Sequence, residues 1–85
     1  MEIPTAKQII AARGLLGLSQ IQLAAGAGVS ISALKRFEAK AHQFAEISPT
    51  RAATISKLTL HLNSLGIAFL SHVEFNGVVL KEIVK

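Results

Sequence analysis

Apolar residues recur along this chain in two rhythms, and the rhythm changes near residue 66. Before that point they return every three or four positions, the spacing that gathers them on one side of a helix; after it they crowd as in strands. Thr5 with Gln8 has the spacing of a capping box and opens a first helix through IIAARGLL, which Gly17 stops. Ile9, Ile10, Leu15 and Leu16 are expected on its broad inward face. Ser19 with Gln22 repeats the capping box and opens a second helix of about two turns through IQLAAGA. Gly28 supplies the positive φ of a sharp turn. Ser30 then caps a third helix, ISALKRFEAK, in which Leu34 and Phe37, with Val29 before them, face one way. Ile31, Ser32, Lys35 and Arg36 lie elsewhere on that wheel.

Residues 40–49 read as a polar, irregular connection, and a fourth helix is expected to begin between Thr50 and Thr54. Ile55, Leu58, Leu62 and Leu65 form the most regular apolar stripe in the chain, and Gly66 ends it. IAFLSHVEF and VVLKEIV then flank Asn76-Gly77, which predicts a hairpin turning on those two residues. The pattern gives a mainly α domain of four helices over residues 1–66, with a β-hairpin over residues 67–85 as an element of the same domain.

Composition adds a hint of self-association. The 85 residues are 51% hydrophobic, with a mean hydropathy of +0.48, and a domain this small has little interior in which to hide apolar surface. With no cysteine, disulfides and thiolate metal sites are excluded. MEIPTAK lacks the pattern of a signal peptide, and no apolar run approaches the roughly 18 residues of a membrane span, so a cytoplasmic protein is expected. Charge is uneven: residues 1–65 hold seven Lys/Arg against three Glu, while residues 66–85 balance at zero. The positive charge of the helical part favours a polyanionic partner there.

SQIQLAAGAGVSISALKRFE, residues 19–38, resembles the helix-turn-helix of lambda-repressor-like (Cro/XRE-type) bacterial and phage regulators. The likeness rests on Gln20 at the head of the motif, small Ala24 within its first helix, Gly28 in the turn, Val29 and Leu34 at buried positions, and Glu38 at its close. QIIAARGLLGLSQ is similar to the first helix of a subgroup of very short regulators, and LNSLGIAF, residues 62–69, to the segment that leads into their C-terminal hairpin. The resemblance is tight over residues 8–40 and loose over residues 53–82.

It implies double-stranded DNA as a partner and assigns roles residue by residue. Arg13 and Glu38 would form a partly buried bridge that fixes the angle of the third helix, which takes Arg13 out of the DNA contacts. Gln20 and Ser30 would meet phosphates, as would Lys40, His42 and Gln43 after the third helix. Ile31, Ser32, Lys35 and Arg36 would face base edges, Arg36 with the geometry for guanine and Ile31 with apolar contact alone. Two features depart from the pattern: Gly14 and Gly26 sit inside helices at a cost of about 0.5–1 kcal/mol each relative to Ala, and polar readers commonly stand where Ile31 does.

Chemistry of other kinds has little to work with. His42, His61 and His72 lack metal-ligand spacing, and the chain has no Asp and no Ser–His–acid arrangement. An enzyme, a metal, a cofactor and a small-molecule ligand are therefore not expected. The hairpin could cover helix four of its own chain or join a second copy, and a homodimer with Val73, Phe75, Val78, Leu80 and Ile83 at or near its interface is the expectation. The function expected is a transcriptional regulator, a repressor on a pseudo-palindromic operator. The alternative is a helix-turn-helix scaffold acting through protein binding, as an antiactivator or antitoxin.

Overall fold

A computed structural model describes residues 4–40, 49–71 and 76–81. Among these, four helices precede one antiparallel hairpin: α1 (Ala6–Leu16), α2 (Gln20–Ala27), α3 (Ile31–Ala39), α4 (Pro49–Ser64), β1 (Ile67–Ser71) and β2 (Asn76–Leu80). The helix starts follow local chemistry. The Thr5 and Ser19 hydroxyls accept from the N–H groups of Gln8 and Gln22, whose side chains accept in return from the N–H groups of Thr5 and Ser19. Ser30 Oγ accepts from Ala33 N at 3.1 Å and caps α3. Gly17 and Gly28 end α1 and α2 at φ 68° and 75°, where a β-carbon would be strained.

One core joins the elements. Ile9, Leu23, Leu34, Leu58, Leu62 and Ile67 are fully buried, drawn from all four helices and β1. Ala12 and Ala24 fill positions where only a methyl group stands in the core. α2 packs on α3 and α4; α1 packs on α3, α4 and β2; α4 carries β1. No single helix among the described residues is long and apolar enough to cross a membrane.

Three expectations are corrected. Leu15 points outward, 51% exposed, and the buried face of α1 is Ala6, Gln8, Ile9 and Ala12. Of the consecutive leucines at 15 and 16, the half-buried Leu16 takes the place near the core. α4 begins at Pro49, ahead of the window expected, because proline at a first helical position loses an N–H that has no helical partner anyway. Asn76-Gly77 is no turn: Ser71 pairs with Asn76 and Leu70 with Gly77, so the reversal falls between Ser71 and Asn76. Gly77 is absent from the positive-φ glycines, as a strand position requires.

A glycine and a histidine set the approach of α2 to α4. A β-carbon built on Gly26 would overlap the His61 ring. The helix cost of Gly26 thus leaves room for an imidazole that crosses from α4.

An ionic network holds α3. Arg13 Nε donates to Glu38 Oε2 at 3.1 Å and Nη2 to Oε1 at 2.9 Å, a two-pronged pair. Arg13 Nη1 donates to the Leu18 carbonyl at 3.1 Å, and Gln20 Nε2 to Glu38 Oε1 at 3.0 Å. α1, α2 and α3 therefore meet on one carboxylate, and the same guanidinium ties in the α1–α2 connection. A buried charge is tolerable only with such partners.

Two stability measurements check this account. By urea denaturation, Glu38→Ala costs about 2–4 kcal/mol, because the Arg13 guanidinium, only partly exposed, is left without its acid; a loss below about 1 kcal/mol would show the pair to be idle. Gly26→Ala gains about 1 kcal/mol of helix preference in a His61→Ala background and loses most or all of that with His61 present. Equal effects in the two backgrounds would rule out the steric account.

Candidate nucleic-acid interface

The turn between α2 and α3 decides which side of α3 is spare. Gly28 reverses the chain, Val29 packs against the core, and Leu34, Phe37 and Glu38 bury one side of the helix. Ser32, Lys35, Arg36 and Ala39 are left exposed on the other side, with Lys40 at its end. Glu38, the one acid of α3, is turned inward and paired with Arg13, so the open side carries three cations and no acid. A helix fits the major groove of duplex DNA, and such a face meets it with the right sign of charge.

The base-reading candidates separate on inspection. Ser32, Lys35 and Arg36 stand together on the exposed side. Ile31 does not stand freely with them: it is half-buried and packs on the core, at the border of the face. That answers the oddity of an isoleucine at a reading position, since part of its side chain belongs to the interior.

The phosphate candidates are spread around the head of α2 and the two ends of α3. Gln20 is the first residue of α2, and its side-chain amide already donates to Glu38. The backbone N–H groups of Gln20 and Ile21 precede the first intrahelical bond, which Leu23 N makes to Ser19 O. Ser30 is exposed, and its hydroxyl oxygen serves as the cap of α3. Lys40 is exposed; His42 and Gln43 lie outside the described residues.

Arg51 and Gln8 each make a contact between elements that no local pattern announced. The Arg51 guanidinium, in the first turn of α4, lies over the Phe37 ring at 4.6 Å from its centroid, tying the start of α4 to α3. The signal that could have found it is a buried aromatic followed by an arginine at the next helix start, which says nothing until the elements are in contact. Gln8 was legible as a cap, yet its amide also reaches the hairpin, donating to the Leu70 and Gly77 carbonyls, both at 2.9 Å.

The hairpin lies against α1 and α4 and shows two different faces. Ile67, Phe69 and Val78 turn toward the core, so Val78, expected at a dimer interface, is engaged within its own chain. The outer face holds Ala68, Leu70 and Val79, with Leu70 and Val79 each 41% exposed and Leu80 46% exposed at the margin. Val73, Phe75 and Ile83 lie outside the described residues. Lys81 N donates to Gly66 O at 2.7 Å, which fixes the alternation of the ladder. Ala68–Val79 and Leu70–Gly77 are then the pairs that exchange bonds, and the N–H and C=O groups of Val78 and Leu80 point away from β1.

No curated protein matches the chain. A helix-turn-helix family model of the Cro/XRE type matches residues 9–59, which takes in the whole of α2 and α3 with most of α1 and much of α4. That is more than half of the chain, over the same elements that leave a cationic helix face open, and the chain belongs to this family of DNA-binding helix-turn-helix regulators.

Proposed function

We propose that the protein is a cytoplasmic transcriptional repressor that binds a pseudo-palindromic operator as a homodimer, with α3 of each copy in the major groove. The observation that carries this reading is the open side of α3, with Ser32, Lys35 and Arg36 exposed beside one another and the only acid of the helix withdrawn into a bridge. Arg36 reads guanine through two hydrogen bonds, Ser32 and Lys35 take neighbouring base edges or phosphates, and the apolar part of Ile31 that remains exposed suits a thymine methyl. Gln20 offers its backbone N–H and the rest of its amide to a phosphate, and Ser30, Lys40, His42 and Gln43 extend that track along the strand. Repression follows from occupying a promoter that polymerase needs.

Homodimerisation is supported by the hairpin. Leu70, Val79 and Leu80 leave apolar surface in water, and on the β2 edge the backbone groups of Val78 and Leu80 face away from β1 with no backbone partner among the described residues. Antiparallel pairing of two such edges is self-complementary about a two-fold axis, as a closed dimer requires. In this arrangement Leu80 and the backbone of Val78 stand at the interface, Val79 and Leu70 beside it, with Val73, Phe75 and Ile83 in the adjoining chain.

Sequencing the duplexes retained from a random library by the purified protein gives the operator, and titration against salt then tests the mode of binding. Affinity falls steeply with salt, by about 0.9 in log–log slope for each phosphate neutralised. Arg36→Ala relaxes preference at one base pair of each half-site, costing about 1–3 kcal/mol there, while Lys40→Ala weakens binding to all sequences alike. Equal loss on random DNA for Arg36→Ala would remove its reading role. Retention of a protein partner with no salt-dependent DNA binding would replace the repressor by a protein-binding scaffold.

A further inference from the structure

We infer that Gln8 is a positioning residue which, through its grip on the hairpin, sets the separation of the two α3 helices and hence the spacing of the operator half-sites; this rests on the homodimer reading. Gln8 is 6% exposed and all its polar atoms are engaged. Its Oε1 accepts from Thr5 N at 2.8 Å, and its Nε2 spends both hydrogens on the Leu70 and Gly77 carbonyls, at 2.9 Å each. Those carbonyls belong to opposite strands, in one ladder pair, so a single amide from α1 pins both strands at once.

The clamp is not needed to complete the hairpin. Leu70 and Gly77 form a hydrogen-bonded pair, so each carbonyl already accepts within the ladder and uses its second lone pair for Gln8. Losing the amide orphans neither of them. What it removes is direction. The other ties from the hairpin to the helices run through Ile67, Phe69 and Val78, whose apolar contacts favour burial without fixing angle or register. The Gln8 bonds supply both.

The other end of the lever lies on the same helix. Arg13 follows Gln8 by five residues on α1, about 7.5 Å along the axis, and holds Glu38 of α3. α1 therefore grips the hairpin near its start and the recognition helix near its end, with a rigid helical segment between. In a dimer joined through the hairpins, the path from one α3 to the other runs through two copies of this segment. Operator spacing is a geometric consequence of dimer shape, and the Gln8 clamp is the directional joint in that path.

The test uses the full chain and the operator selected from the random library. Duplexes with the half-sites moved apart or together by one or two base pairs are titrated beside a duplex with one half-site. Wild type loses at least about tenfold in affinity on the shifted duplexes, whereas Gln8→Met loses less than about threefold, with its single half-site affinity within about twofold of wild type. Lys7→Ala, on the same turn but outside the clamp, keeps the wild-type profile. A merely structural role would weaken binding to every duplex in proportion and leave the spacing profile unchanged, and that result overturns the inference. Should Gln8→Met not fold, as read by circular dichroism, Gln8→Asn is titrated in its place, because it keeps the amide but is one methylene too short to reach both carbonyls. A wild-type protein indifferent to spacing would instead overturn the dimer reading itself, and the role of Gln8 with it.

Discussion

The Glu38 carboxylate is the point on which the arrangement of helices turns. α3 is nine residues long, too short to be stable or oriented by itself. Leu34 and Phe37 give it an apolar grip, but apolar contact alone tolerates some rocking of a helix about its axis. The paired bonds from Arg13 and the third from Gln20 are directional, and they fix the inward side of α3 to α1 and α2 together. Because the charge is buried, the network is all or nothing: a half-satisfied carboxylate would be worse than none. Its second effect is electrostatic. The one acid of α3 is spent internally, and a helix whose sequence reads as charge-mixed presents only cations outward.

Small residues make that geometry reachable. Ala12 and Ala24 put only methyl groups into the core, and at Gly26 the space a β-carbon would take is filled by a ring from α4. The cost of a glycine inside a helix of eight residues is offset by contact between elements, which is why a local propensity argument registers it only as a fault. Arg51 over Phe37 is a contact of the same kind: two residues from different helices that mean little until they meet.

Much of the architecture was legible because its signals are local. Two capping boxes, the cap at Ser30, the turn at Gly28 and the stripe Ile55, Leu58, Leu62 depend on spacings of three or four residues, and the chain carries them openly. What was not legible depends on partners distant in sequence. Leu15 and Leu16 look equivalent until the packing of α1 selects one. Asn76-Gly77 is the best local turn signal in the chain, but the ladder that pairs Ser71 with Asn76 and Leu70 with Gly77 takes both residues into β2 and centres the reversal three residues earlier. Val78 shares a face with Ile67 and Phe69 in either register; what local spacing does not tell is that this face turns to the chain's own core and leaves Val79 outside. Gln8 shows the limit most plainly: as a cap it needs only Thr5, whereas its two further bonds span more than sixty residues.

The opposed chemistry of the two ends of the fold bears on why one copy would be a poor regulator. The open side of α3 carries Lys35 and Arg36, with Lys40 at its end, and three cations on a single short helix can neutralise few phosphates. A single recognition helix also meets only a few base pairs, too few to distinguish one site among many. The hairpin, by contrast, has no excess charge and leaves Leu70, Val79 and Leu80 in water. In the proposed dimer these two deficiencies cancel: covering the apolar surface of the hairpins is what doubles the cations and the bases read. α1, joined to one end through Gln8 and to the other through Arg13, turns that pairing into a fixed distance between two reading helices, which is the quantity a palindromic operator measures.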